Sequence, residues 1–248
     1  MMELPEDYKW QERSLLFLGE ERMKRLRKCK VVVVGLGGVG AYAAEMLARA
    51  GVGSLVILDS DVISPTNKNR QLLALESTMG RYKSDLMEQR LKDINPSLEV
   101  VPIREYLTEE NVSELLSPFK PDYIVDAIDT LSPKISLIKY AVKNGIRLVS
   151  SMGAGAKSDA TKVTIKDISK SYNCPLAYIL RKRLRKEGIS KGFRVVFSEE
   201  LPDTDAIVPV EEQNKKSMVG TISYLPPVFG CLCAQAVLEE LLSLNEKK

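Results

Sequence analysis

The stretch from Lys30 to Asp59, KVVVVGLGGVGAYAAEMLARAGVGSLVILD, restricts what this chain can fold into more than any other part of it. Four consecutive valines closed by a glycine turn read as a strand buried on both faces, since a strand with one wet face would alternate. The glycine-rich loop opens a helix in which Val39, Ala43, Met46, Leu47 and Ala50 share one face. Gly51 stands where a left-handed C-terminal glycine belongs, and SLVILD is a second buried strand. Strand, loop, helix and strand in that order make a βαβ unit, whose crossover joins parallel strands.

The alternation continues. Arg81 to Ile94 reads as a helix stopped by Asn95-Pro96, followed by the strands LEVVPI and YIVDAID. Ser132 as N-cap and Pro133 at the first helical position predict a helix through Asn144, ended by Gly145. RLVSSMGAG is a strand running into a second glycine-rich loop. Before the unit, residues 14–28 predict a helix with its cations crowded at the C-terminal end, where the dipole favours them. Beyond about residue 155 the pattern becomes short β segments, KVTIKDI and FRVVFS, around a very basic helix, then a long apolar helix from Pro227 to Leu244. The expectation is one α/β domain over residues 1–248: a Rossmann-like, mostly parallel sheet with helices on both faces, a mixed C-terminal extension and a long C-terminal helix. Within it, residues 1–28 form a helical arm, 29–155 a nucleotide-binding core, and 156–248 a basic substrate-binding and C-terminal part.

Gly35, Gly37 and Gly40 satisfy G-x-G-x-x-G between strand and helix, with an extra Gly38, and Asp59 ends the next strand. Such glycines let the backbone approach phosphate, the helix N-terminus attracts it, and the strand-end acid binds ribose hydroxyls. A glycine turn used only for packing is the alternative. After Asp59 comes a polar loop, DSDVISPTNKNRQLL, with Asp61, Asn67, Asn69, Arg70 and Gln71. An arginine and amides beside the glycine loop suit a triphosphate better than a nicotinamide, which disfavours an oxidoreductase. Lys83, taken alone, reads as a solvated helix-surface lysine.

There is no histidine in the chain. That removes Ser-His-Asp and Cys-His nucleophile systems and every metal site built on imidazole. The four cysteines at 29, 174, 231 and 233 form no C-x-x-C pair, so neither a zinc ribbon nor a thioredoxin-type pair is expected. Cys231 and Cys233 fall in the apolar C-terminal helix and are expected in the core. Cys174 is either a nucleophile beside a basic run or a loop cysteine without chemistry. With no apolar run of membrane-spanning length and no signal-peptide pattern, a cytoplasmic protein without a membrane partner is expected.

The net charge of +3 conceals a polarised distribution. RKRLRKEGISKGFR, from Arg181 to Arg194, carries +6, so the other 234 residues sum to −3. Arg181 with Arg185, and Lys182 with Lys186, recur at i, i+4, and Lys191 follows. A solvated basic face is one reading; a polyanion-binding stripe is the better one on an otherwise acidic body.

GLGGVG, LDSDVISPTNKNRQ, GRYKSD, INP and VDAIDT, in that order, resemble the adenylating superfamily of ubiquitin-activating enzymes and their bacterial relatives in molybdopterin and thiamine synthesis. The match spans roughly residues 13 to 130. The resemblance implies that ATP is bound, with Asp59 on the ribose and Asn67, Arg70 and Lys83 on the triphosphate. It implies Mg²⁺ on Asp129, with Asp126 structural. Arg13, in QERSLLFLGEE, is similar to the family's arginine finger, delivered to the neighbouring subunit of a homodimer. The catalytic set is then Arg13, Arg70, Lys83 and Asp129, around a nucleotide site that also includes Gly35, Gly37, Gly38, Gly40, Asp61 and Asn69.

Activators of ubiquitin-like proteins usually carry two zinc-binding C-x-x-C pairs, and thioester-forming members a crossover cysteine. Neither is present, and the matching stretch QNKKSMVGTISYLPP has no cysteine. The segment from SMGAGAKSDATKVTIKDISKSYNCPLAYI through the basic run to FSEE instead resembles one branch, the tRNA threonylcarbamoyladenosine dehydratases, and extends the match over nearly the whole chain. That resemblance implies ATP-dependent cyclisation of N6-threonylcarbamoyladenosine at position 37 of tRNA through an acyl-adenylate, with tRNA on Arg181, Lys182, Arg185, Lys186 and Lys191. A monovalent cation and a sulfur-transfer protein partner stay open. The competing reading is an adenylyltransferase that activates the C-terminus of a ubiquitin-like sulfur carrier.

Overall fold

The computed structural model describes residues 6–212 and 215–244. The expected βαβ unit forms from β1 (Lys30–Val34), α3 (Gly40–Ala50) and β2 (Ser54–Leu58). It is preceded by α1 (Glu12–Leu18) and α2 (Glu20–Leu26). Then follow α4 (Lys83–Ile94), β3 (Glu99–Ile103), α5 (Val112–Leu116), β4 (Tyr123–Asp126), α6 (Leu131–Lys143) and β5 (Arg147–Ser151). The C-terminal part contributes β6 (Val163–Asp167), α7 (Pro175–Lys186), β7 (Arg194–Ser198), the hairpin β8 (Ile207–Glu212) and β9 (Lys215–Val219), and α8 (Leu225–Leu241).

Seven strands form one sheet in the order β3-β2-β1-β4-β5-β7-β6. All neighbours are parallel except the edge strand β6, which runs antiparallel to β7. The chain builds outward from β1 through β2 to β3, then returns to the other side of β1 as β4. That reversal opens a crevice at the carboxyl ends of β1 and β4, where ligands of open α/β sheets bind.

The continuous valine run is explained by burial on both sides. Val31, Val33, Leu55, Ile57, Tyr123 and Val125 pack beneath α3, α4 and α8, while Val32, Val34, Val56, Leu58 and Ile124 pack beneath α5, α6 and α7. The helix expected over residues 14–28 is divided at Gly19, whose φ of +79° interrupts it. The short α5 and the β8–β9 hairpin carry no signal in the sequence pattern, and Gln213 and Asn214 of that stretch lie outside the described residues. In α8, Cys233 is core as expected, but Cys231 is exposed, because two residues on a helix are about 200° apart.

Candidate nucleotide-binding site

The glycine loop is pressed against the chain leaving β4. Gly35 has φ +88°, and a Cβ on it would sit 2.8 Å from the Ala127 carbonyl oxygen. A Cβ on Gly40 would lie 1.7 Å from the Gly35 carbonyl oxygen, so no larger residue can start α3 there. Ala127 precedes Asp129 by two residues, and its N–H donates to the Val34 carbonyl at 2.9 Å. The loop after β4 is thus held at Ala127 against the N-terminus of α3, whose dipole favours phosphate, and Asp129 further along that loop is exposed. The extra Gly38 serves packing: its missing Cβ admits Pro226 and the Arg70 backbone, at 3.0 and 3.3 Å from where that Cβ would be.

Asp59 is nearly buried and accepts from the N–H groups of Leu36 (2.6 Å) and Asp61 (2.8 Å). Burial pushes its carboxyl above the usual aspartate range, against the opposing attraction of Lys83 and the two N–H bonds. Lys83 is no surface lysine: it is 4% exposed and donates to Asp61 at 2.7 Å, with Asp59 3.9 Å away. The loop expected to hold the triphosphate is internally braced. Asn67 accepts from the Ser64 N–H at 3.1 Å, and Arg70 donates to the Thr66 carbonyl (3.0 Å) and to Asn69 (2.8 Å). Asn69 donates to the Thr221 carbonyl at 3.0 Å. The segment before α8 is therefore tied to the loop after β2, a contact with no motif to betray it.

Beneath the Asp129 loop lies an ion pair that the motifs did not include. Lys134 and Asp126 are both fully buried, 2.7 Å apart, and Ser150 donates to Asp126 at 2.6 Å. The other Asp126 oxygen accepts from the Ile128 N–H at 3.1 Å, so this network holds the turn that carries Asp129. Lys134 recurs with Leu137, Ile138 and Ala141 at i, i+3, i+4, i+7, a spacing that places it on the buried face of α6.

Other expected site residues lie apart. Arg13 is exposed on α1, next to Leu16 (80% exposed) and Phe17 (81% exposed). Gln11, at the start of that arm, packs on Gly51 at the far end of α3, a helix about 16 Å long. Arg13 is thus not brought to the glycine loop of its own chain. On α7, Lys182, Arg185 and Lys186 are exposed, as is Lys191 beyond it. Arg181 is turned inward instead, donating to the Ser171 carbonyl at 2.6 Å and to its hydroxyl. Cys174 is buried at the N-terminal end of α7, without the accessibility a nucleophile needs. Among the described residues no cluster of three or more His, Cys, Asp or Glu side chains is arranged to hold a metal.

A family model described as ThiF family matches residues 11–248. The chain belongs to the ThiF family. It is 42% identical to tRNA threonylcarbamoyladenosine dehydratase of Bacillus subtilis, over 95% of this chain and 96% of that protein. It is 37% identical to the Escherichia coli protein of the same name, over 94% and 95% of the two chains. The crystal structure of the Escherichia coli tRNA N6-threonylcarbamoyladenosine dehydratase in complex with ATP superposes with a TM-score of 0.89 at 30% identity, covering all of both chains.

Proposed function

We infer that this chain is an ATP-dependent tRNA threonylcarbamoyladenosine dehydratase, cyclising the threonylcarbamoyl side chain through an acyl-adenylate and releasing AMP and pyrophosphate. The carrying observation is the likeness, end to end, to dehydratases, one of them solved with ATP, in a chain whose glycine loop is bonded to a buried Asp59 with Lys83 3.9 Å away. Adenylating a threonyl carboxylate, with a pKa of about 3.5, requires no general base at neutral pH. It requires neutralised phosphate charge and in-line placement. Lys83 is positioned to neutralise that charge. Asp61 holds it at the crevice, and being 67% exposed Asp61 forms only a weak, screened pair that a polyphosphate can displace. Asp59 takes the ribose, and Arg70 flanks the phosphates.

Magnesium suits the donor set at Asp129, because that ion is commonly held by one or two carboxylates together with substrate phosphates. There it would screen the polyphosphate oxygens, with Asp129 its protein ligand. The activated acyl carbon is then captured by a heteroatom of the same side chain, with AMP leaving. A preorganised ring closure has an effective molarity of about 10⁵–10⁸ M, so neither histidine nor Cys174 is required. The partner subunit's Arg13 completes the site in a homodimer; the exposed Leu16 and Phe17 beside this chain's Arg13 supply apolar surface for that contact. Lys182, Arg185, Lys186 and Lys191 hold the tRNA, in the cytoplasm.

Activation of a sulfur-carrier tail is the weaker reading, since the zinc and thioester cysteines are missing. One experiment separates the two. Protein, ATP, Mg²⁺ and modified tRNA are incubated, and the tRNA is digested to nucleosides and weighed. A nucleoside lighter by one water, formed only with ATP, is expected; unchanged mass alongside AMP formation stimulated by a carrier-protein tail would overturn the assignment.

A further inference from the structure

Helix α7 carries an aromatic ring among its cations. Tyr178 is 61% exposed, more than any other tyrosine among the exposed large residues described. Ala177, Leu180 and Leu184 fix the buried side of the helix. Tyr178, Lys182 and Arg185 then share one exposed flank at i, i+4, i+7, with ring and first cation about 6 Å apart along the axis. The helix holds no acidic residue, and Arg181, which would otherwise crowd that flank, is tied to Ser171. Tyr172 just before the helix is different: it packs edge-on against Phe197.

A ring so placed contributes little to the core of its own chain. Lysines and arginines alone would serve a duplex, which offers a helix surface mainly phosphates and hydroxyls, its bases stacked inside. An unpaired loop offers splayed bases, which stack on aromatic faces while cations follow the backbone. We propose that Tyr178 stacks on an unpaired base of a bound RNA loop, with Lys182 and Arg185 on the phosphates beside that base. This rests on the tRNA reading above and narrows it: α7 receives single-stranded loop, not stem.

The test measures binding of a fluorescent anticodon stem-loop RNA and of a blunt duplex with the same stem, by anisotropy at several salt concentrations. Tyr178→Ala is expected to weaken the stem-loop by about fivefold or more, as loss of one base stack does. Duplex affinity, the salt slope and the melting temperature should stay at their wild-type values, and Tyr178→Phe should keep stem-loop affinity. Arg185→Ala should weaken both RNAs and reduce the salt slope by about one phosphate contact. Unchanged stem-loop affinity in Tyr178→Ala, or an equal loss for both RNAs, overturns the stacking role and leaves the tRNA reading standing. Wild-type protein that binds neither RNA overturns both, and a Tyr178 face covered by a second copy of the chain, seen as self-association lost in Tyr178→Ala, replaces RNA with protein as its occupant.

Discussion

Lys83 and Asp129, both assigned to the proposed nucleotide site, differ in what holds them. Lys83 is buried between two carboxylates, whereas Asp129 stands exposed on a turn whose geometry is set from below by Asp126. In the proposed mechanism, removing Lys83 deprives developing phosphate charge of a fixed cation. Lys83→Met should therefore lower the rate of pyrophosphate release by about 10²–10³-fold, comparable to losing one preorganised electrostatic contact. Asp129→Ala is expected to abolish nucleoside conversion while stem-loop RNA binds with unchanged affinity; surviving turnover would remove Asp129 from the site. The position of Asp59 at a strand end beside the glycine loop was legible. The burial of Lys83 was not, because only the fold brings the start of α4 against the loop after β2.

Between elements, two carboxylate networks tie helices to each other and to the sheet. Glu45 on α3 is bonded by Arg49 of the same helix (2.9 Å) and by Arg90 on α4 (2.5 Å). Burial alone would raise its carboxyl, but the bonds from Arg90 and Arg49 win and hold it below the usual glutamate range. A depressed native pKa contributes stability that is fully present above the unfolded value, about 4.3, and is lost as pH falls through the lower native value. Glu45→Gln should cost about 1–2 kcal/mol at neutral pH. Urea melts repeated in acid should show the two proteins converging. Lys134→Met leaves Asp126 charged and buried without its cation, and should cost about 3–5 kcal/mol by the same melts. The strands and long helices were legible because their signals are local periodicities. The break at Gly19 and the short α5 were not, since a single glycine or one helical turn leaves little periodic trace.

At the scale of the whole molecule, the proposed homodimer makes a complementation test available. Each site would take Asp129 from one subunit and the partner subunit's Arg13. Arg13→Ala and Asp129→Ala, each inactive alone, should on mixing and re-equilibration recover roughly a quarter of wild-type turnover, because half the dimers are mixed and each holds one intact site. No recovery, with mixed dimers shown to form, would place Arg13 outside the neighbouring site. What the sequence determined by itself was the βαβ start, the glycine loop with its strand-end acid, the absence of histidine chemistry and the concentration of positive charge near residue 185. These depend on neighbours in the chain or on simple sums. Only the tertiary structure decided that Thr221 and Pro226 brace the loop after β2 and the glycine loop, that Lys134 pairs with Asp126 below the turn leading to Asp129, and that Arg181 turns away from the exposed stripe. Those contacts join residues as far as 188 positions apart, as Gly38 is from Pro226, and at such separations partner choice is set by how layers pack rather than by any pattern along the chain.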